Sequence, residues 1–471
     1  MKKSKLYEVW CGLPSDYQQL FEKYLLSKGN LVRPDVLLLS DYLVKNKNCD
    51  GDIWKKETVF AAIYGADKPY HDDTMRHIQS FLTKEIEQFL VAQEHSQNAQ
   101  QETLALAKVY RRLKLEKPFQ QTMRRLGQLQ NEVKIRDASA LQLAAAAENV
   151  WITHQTEQSR SEVSSLQTLL DAEEKAFAAA KLRSVCSALS YQSLAKTSHD
   201  FGLLEELLAR VEEKKWAETE ASIGAYYFIY RMNTSAESKL FFEKLRQNLA
   251  AYRAHFEPEE YLKIYLGAVN YSIKQSNQGD EEFFRQLFEL YKNGIETSIL
   301  LVEDGTLSPY TYKNMTATGL RIGESDYIFS FIEKYRKFLP VEFRQNYYEY
   351  NLARYYFTTQ NFDKAMPMLN KLTYGDIFLQ LGAKVMLLKM YYQLDEYDAL
   401  DAFLRSFQQF LHRKKASLSY HQQNYLNIIH CTKQLMVTNG FDKIKSLKLR
   451  EEISALQPLT EREWLLKAIK N

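Results

Sequence analysis

The chain has 471 residues, and its 62 basic and 59 acidic side chains almost cancel to a net charge of +3. That balance gives the whole molecule no general electrostatic attraction to nucleic acid or to an anionic membrane. Hydrophobic content of 45% and charged content of 26% are typical of a globular protein. No segment approaches the roughly 18 consecutive apolar residues that a transmembrane helix needs, so we expect no membrane partner.

Helix-breaking residues are scarce and large aromatic residues are abundant. The chain contains 31 Tyr and 25 Phe against 16 Gly and 9 Pro. Tyr buries its ring while its hydroxyl reaches water, which suits helices packed on helices. Alternating β-branched runs joined by tight turns are nearly absent. The sequence therefore predicts an all-α protein.

The termini and the cysteines bear on the compartment. The N-terminal sequence begins with basic residues but lacks the apolar run of a signal peptide. Cys11, Cys49, Cys186 and Cys431 are sparse and unclustered, as expected of reduced thiols. We expect a cytoplasmic protein.

The N-terminal region, residues 1–95, is punctuated into short helices that end in a longer one. The longer helix carries apolar residues at helical spacing, which predict one buried face. These residues are Met75, Ile78, Phe81, Leu82, Ile86, Phe89 and Leu90. Residues 96–200 are richer in Ala, Gln, Ser and Leu, and they predict a connecting segment of helical hairpins.

From residue 201 to 471 an internal period appears. Short turns separate pairs of apolar helical stripes at Gly279, Gly323, Gln360 and Asp395, which are 44, 37 and 35 residues apart. Periods in this range are typical of arrays of helical hairpins. The region is predicted to be an α-solenoid, a stack of such hairpins.

Residues 352–369 resemble a tetratricopeptide repeat. Leu352 and Ala353 match the Leu-Gly/Ala pair of the first helix, Tyr356 its aromatic residue, Phe362 the aromatic residue that opens the second helix, and Ala365 the small residue where the helices meet. Thirty-five residues later the pattern returns with leucines at the small positions, so the repeats are degenerate. The resemblance implies stacked hairpins.

Most of the chain also resembles a tetratricopeptide-like family of helical-repeat proteins common in Bacteroidota genomes. The matching stretches include "GTLSPYTYKNM", "PLTEREWLLKAI" and, near the N-terminus, "KKETVFAAIYG". This resemblance implies a fold and a cytoplasmic setting, and it implies no activity or ligand.

Motifs that support catalysis are missing from the sequence. Phosphate-binding glycine loops, zinc-protease motifs and nucleophile elbows do not occur, and no cofactor is expected. "YHDD" at 70–73 with His77 offers metal-ligand types, but Asp72 and Asp73 are better explained as caps of a helix N-terminus. His430 and Cys431 are interpreted as a packed histidine and a buried thiol. We predict a protein that is not an enzyme.

The inner face of the repeat array is the first candidate for binding. Tyr350, Arg354, Lys389 and Tyr392 are predicted to project there, with Arg354 and Lys389 at equivalent positions of successive repeats. Two cations one repeat apart could pair with an acidic ligand, although solvated surface charge explains them as well. The expected partner is a protein or peptide.

Two further surfaces are candidates for binding, the basic cluster near the C-terminus and the N-terminal domain. Arg413, Lys414 and Lys415 form a basic cluster that could bind nucleic acid or an acidic partner, although its position at a helix end is partly explained by the helix dipole. The N-terminal domain resembles the helical part of a winged-helix domain, with only Arg76, His77 and Lys84 as base or phosphate contacts. The other interpretation is a helical cap that covers the exposed apolar end of the solenoid. The sequence thus predicts a non-catalytic scaffold for protein–protein interaction, with a DNA-binding regulator as the alternative.

Overall fold

The computed structural model describes residues 1, 3–46, 52–158, 166–195, 197–301, 305–371, 376–418, 421–438 and 443–469. Within these ranges the protein is helical, and the extended pairing is limited to an isolated antiparallel bridge between Leu301 and Leu307. The all-α prediction is therefore confirmed. Cys11 is exposed and Cys186 and Cys431 are buried, and Cys49 lies outside the described residues.

The chain divides into two compact units, Met1–Gly224 and Ala225–Asn471. The prediction of three parts, with boundaries after residues 95 and 200, stays a prediction. The helices of the first unit are α1 Lys5–Gly12, α2 Ser15–Lys28, α3 Pro34–Lys45, α4 Lys56–Tyr64, α5 Asp72–Gln97, α6 Ala99–Arg112, α7 Glu116–Glu132, α8 Ala138–Gln158, α9 Leu166–Ala195, α10 Leu204–Glu213 and α11 Trp216–Thr219. Helix α12, Ala221–Thr234, contains the boundary between the units.

Helix α5 is the centre of the N-terminal core. Its fully buried residues recur every three or four positions, and they pack with apolar residues of α1 to α4. These residues are Met75, Ile78, Leu82, Ile86 and Phe89. Phe81, which was predicted on the same face, is instead 45% exposed, and the guanidinium of Arg33 lies 4.8 Å from its ring centroid. Six positions from Met75 correspond to a large rotation about the helix axis, so Phe81 falls outside the buried stripe.

The alanine-rich helices pack in adjacent pairs, α6 with α7 and α8 with α9. Ala107, Ala178 and Ala179 are completely buried. Small side chains permit this close contact between helix backbones, which is what the composition of the segment predicted.

The second unit continues the helical pattern to the C-terminus. Its helices are α13 Ser238–Tyr252, α14 Pro258–Asn277, α15 Glu281–Glu296, α16 Pro309–Arg321, α17 Ser325–Tyr335, α18 Val341–Thr358, α19 Phe362–Lys371, α20 Ile377–Gln393, α21 Tyr397–Arg413, α22 Lys415–Leu418, α23 His421–Val437, α24 Lys443–Ala455 and α25 Arg462–Ala468.

The four turns predicted from the sequence share one backbone geometry. Gly279, Gly323, Gln360 and Asp395 have φ angles of 93°, 87°, 58° and 56°. In each turn the next residue donates its amide to the carbonyl five residues earlier, for example Asn361 to Tyr356 at 2.7 Å. This is the hydrogen bond of a Schellman C-cap, which ends a helix with one left-handed residue. The turn positions are confirmed.

The hairpins that these turns close pack on one another in order. We call α14, α16, α18 and α20 the first helices, and α15, α17, α19 and α21 the second helices. Each second helix packs on its own first helix, and α15, α17 and α19 also pack on the following first helix. In addition, α16 contacts α18, and α18 contacts α20.

Positions counted from the turns are buried in the same way in each hairpin. The residue seven positions before the turn is Ser272, Thr316, Ala353 or Leu388, and all four are completely buried. Ala365, five positions after its turn, is also completely buried. The packing roles of Ala353 and Ala365 are confirmed, while Tyr356 and Phe362 are only half-buried.

Candidate partner-binding face

The candidate face is carried by α16, α18 and α20 of the second unit. We define the first-helix face as the surface of these helices that carries Arg321, Arg354, Lys389 and Tyr392. It contains three of the four residues that the sequence predicted for partner binding. Their role in binding stays a prediction, and the structure shows what each contacts.

Tyr350, the fourth predicted residue, packs inside the hairpin stack. It is 2% exposed, and a Cβ at Gly382 of α20 would overlap its hydroxyl oxygen. The absence of a side chain at Gly382 therefore makes room for Tyr350 between α18 and α20. Burial leaves Tyr350 almost no surface for a partner, because its register on α18 points it toward the neighbouring helix.

The end of the chain lies against the first-helix face. We call residues 458–469 the C-terminal segment. The ammonium of Lys389 pairs with the carboxylate of Glu461 and lies 5.5 Å from the ring centroid of Trp464. The hydroxyl of Tyr392 donates to the carbonyl of Ala468 at 3.2 Å, and its ring meets Trp464 edge-on at 5.6 Å. Lys389 and Tyr392 are therefore both covered by the protein's own chain.

Apolar contacts hold the C-terminal segment in place. Leu465 is completely buried and Ile469 almost so, in the same core as residues of α20, α21 and α23. The side-chain amide of Asn427 donates to the carbonyl of Pro458 at 2.8 Å. The segment is thus a packed part of the second unit as well as a polar ligand of Lys389.

A second carboxylate of the segment reaches α16. Glu463 accepts from the guanidinium of Arg321 at 2.9 Å, and Arg321 also contacts Glu281 at 2.7 Å. Hydrogen bonds to these two carboxylates raise the pKa of Arg321 above its usual range. Cations at the two ends of the first-helix face therefore each hold an acidic side chain.

Arg354 on this face and Lys313 beside it have no carboxylate partner among the described residues. Lys313 of α16 and Arg354 of α18 are both half-buried, and neither forms an ion pair within the described ranges. Burial lowers the pKa of Lys313, the positive charge of Arg354 lowers it further, and Asp376 opposes both. Asp376 is itself engaged, since it accepts from the Tyr347 hydroxyl at 2.9 Å and from the Phe378 amide at 2.8 Å. The middle of the face therefore carries positive charge that is not neutralised by a direct contact.

The basic cluster does not join this face. Arg413, Lys414 and Lys415 are exposed where α21 ends, and the amide of Lys414 donates to the carbonyl of Phe410 at 3.1 Å. Cations at this end of a helix interact favourably with its dipole. Their binding role stays a prediction.

The polar motifs of the sequence serve structural contacts. Asp72 and Asp73 lie in the first turn of α5, as predicted, but Asp72 binds Lys56, Tyr70 and Arg76 in place of a backbone amide. Arg76, a predicted DNA contact, is thereby paired with a carboxylate. His77 and Lys84 form no ion pair in the described part of the chain.

The adjacent residues His430 and Cys431 differ in their burial. Cys431 is buried as predicted. His430 was wrongly predicted to be packed, since it is exposed and its Nε2 lies 3.2 Å from Oε1 of Glu452.

Over the described residues, no group of three or more His, Cys, Asp or Glu side chains is arranged to hold a metal ion. No helix in those residues combines the length and apolarity needed to cross a bilayer.

Sequence reasoning missed Arg321, Lys313, Glu461, Glu463 and Trp464. Their contacts join positions up to 142 residues apart, which no local pattern encodes. The one available signal was the acidic and aromatic run "TEREW" near the C-terminus, where a loop leads into an apolar helix.

Comparison of the chain with known protein families, with curated proteins and with solved structures finds no match.

Proposed function

We propose that the protein is a non-catalytic scaffold of tetratricopeptide-like hairpins that binds a protein partner through the first-helix face, which forms the concave side of the array. The observation that carries the proposal is the C-terminal segment, which is already bound to this face by carboxylate–cation and aromatic contacts. A surface that holds one such segment has the chemistry to hold another.

The charges define the partner. Arg321 and Lys389 are occupied by Glu463 and Glu461, so the cations left for a partner are Lys313 and Arg354. Charge-assisted hydrogen bonds to carboxylates are stronger than neutral ones, and partial burial weakens the competition from water. The partner presents an acidic segment to these two cations.

The decisive variant is Arg354→Glu. Reversing Lys389 would break the internal pair with Glu461 and would report on the C-terminal segment, whereas no ion pair of the described chain includes Arg354. Affinity capture from a native lysate, with quantitative mass spectrometry, should recover a stoichiometric partner with the wild type. The variant should lose that partner by about tenfold or more.

Arg413→Glu is the matched control, because it makes the same charge change at an exposed helix end. It should leave the yield unchanged. Equal recovery by the Arg354 variant and the wild type, with both proteins folded by circular dichroism, would refute the assigned face.

A further inference from the structure

A cleft opens in the first unit beside the helix pair α6 and α7. Its volume is about 1030 Å³, and it is lined by the end of α6, the start of α7 and the second half of α8. Phe119, Val150 and His154 lie in its wall and are all buried. The rings of Phe119 and His154 contact each other, with centroids 4.1 Å apart and planes inclined by 40°. Tyr110 and Leu115, which are partly exposed, also line the cleft and give it an apolar and aromatic floor.

Four cations surround this floor: Lys108, Arg111, Arg112 and Lys114. Lys114 has a φ of 57° and ends α6 in a Schellman turn, in which the amide of Leu115 donates to the carbonyl of Tyr110 at 3.0 Å. This sharp turn brings the last cation of α6 and the start of α7 to the same cleft.

The carboxylates of the cleft are already engaged. Glu157 pairs with Arg111 at 2.6 Å. Glu116 accepts from Gln120 at 2.6 Å and from Gln158 at 3.3 Å, and it faces His154 at 3.3 Å. Lys108, Arg112 and Lys114 form no ion pair in the described part of the chain. Four cations against two carboxylates leave two positive charges in excess at this concavity.

The helix dipole explains part of this charge. Arg111 and Arg112 lie in the last turn of α6, where cations are favourable. The dipole does not account for Lys108, one turn earlier, or for the aromatic floor between the cations. A ligand that joins an anionic group to a planar or apolar body satisfies both features.

We propose that this cleft binds a phosphorylated small molecule, with its phosphates on Lys108, Arg112 and Lys114 and its planar body against the partly exposed Tyr110 and Leu115. The volume is that of a small-molecule site. Lys and Arg are the usual partners of phosphate. This proposal does not depend on the partner-binding face of the second unit.

The test is isothermal titration calorimetry of the full chain with ATP, with inorganic triphosphate and with adenosine as probes. We expect saturable binding of ATP at one site, weaker binding of triphosphate, and little binding of adenosine. The variant Lys108→Gln/Arg112→Gln/Lys114→Gln should bind ATP at least about tenfold more weakly.

A matched control separates the cleft from general basicity. Arg413→Gln/Lys414→Gln/Lys415→Gln removes the same charge from an exposed cluster, and it should change ATP affinity less than about twofold. A second variant, Asn149→Trp, keeps every charge and places a bulky ring at the exposed edge of the cleft. It should weaken ATP binding more than triphosphate binding.

Several outcomes would overturn the proposal. They are the absence of saturable binding of either phosphate probe up to about 1 mM, equal losses in the two triple variants, and unchanged ATP affinity in the Asn149 variant. Tighter, cleft-dependent binding of duplex DNA than of ATP would assign the cations to nucleic acid and would also overturn it.

Discussion

Asp72 shows how one carboxylate organises the start of α5. It accepts from the ammonium of Lys56 at 2.8 Å and from the hydroxyl of Tyr70 at 2.6 Å, and it pairs with Arg76 at 2.5 Å. These contacts, the bond from Lys56 foremost, lower the pKa of Asp72 from 3.8 to about 2. The neighbouring Asp73 is almost fully exposed and lies 3.9 Å from Arg76.

The first prediction concerns pH. Because the folded pKa lies below the ordinary value, the ionised Asp72 stabilises the fold above about pH 4, and this contribution is lost as the pH falls toward 2. Asp72→Asn should be less stable than the wild type at pH 7, and the difference should shrink between pH 4 and pH 2. Urea unfolding at several pH values measures it. Asp73→Asn should show little difference at any pH, and a constant difference for Asp72→Asn would contradict the assignment.

The contacts of Asp72 also show where reasoning from residues stops. The sequence placed Asp72 correctly in the first turn of α5, because acidic residues before an apolar stripe are a local signal. It predicted a backbone cap, and the structure has side-chain partners from α4 and the preceding loop. Those partners depend on the folding of neighbouring elements, which no single helix pattern contains.

At the scale of elements, the contact between α18 and α20 depends on the absence of a side chain at Gly382. A Cβ there would overlap the Tyr350 hydroxyl and lie 3.1 Å from the ring carbon Cζ that bears it. Because the surrounding core is buried on both helices, Tyr350 has little free volume in which to move.

The second prediction is that Gly382→Ala destabilises the protein by about 1–3 kcal/mol through overpacking, despite the higher helix propensity of Ala. Adding Tyr350→Phe should recover part of the loss, since it removes the overlapping oxygen. Gly127→Ala in α7 is the control, because a Cβ there meets nothing within 4 Å. That control should raise stability by about 0.5–1 kcal/mol. Thermal unfolding measures all three, and a neutral Gly382→Ala would show that the interface is looser than described.

The positions of the hairpins could be predicted from the sequence, whereas the packing of the C-terminal segment on the first-helix face could not. The turns at Gln360 and Asp395 follow apolar stripes of recognisable period, so a local pattern locates them. The pair Lys389–Glu461 joins positions 72 residues apart, and the partner of Lys389 is fixed only when α25 packs on α23 and α24. For this reason Lys389 was predicted as open surface although its side chain is 12% exposed.

At the scale of the whole molecule, the unpaired charges and the buried core residues both form separate local groups. The net charge of +3 conceals an excess of unpaired cations in one cleft of the first unit and at the middle of the first-helix face of the second. In the second unit each hairpin contacts mainly its neighbours. Stability in such an array is a sum of local terms, so a defect at one end weakens that end first.

The third prediction tests this locality. Leu404→Ala in α21 truncates a completely buried side chain and should lower the free energy of unfolding by about 2–5 kcal/mol. Native-state hydrogen exchange should accelerate most in α20, α21 and α23, with α14 and α15 least affected. Leu287→Ala in α15 is the reciprocal variant, and it should reverse the pattern. Uniform acceleration along the second unit would instead show a single cooperative block.

The Schellman turns have a consequence for how this chain can change. Main-chain hydrogen bonds close each hairpin, and glycine, glutamine and aspartate all occupy the left-handed position. The turns are unequally spaced because the connections between hairpins differ in length. A long connection joins α15, which ends at Glu296, to α16, which begins at Pro309. Evolution, or a protein engineer, can therefore insert or delete residues in those connections to alter how successive hairpins are offset, while each hairpin is inherited as an intact module.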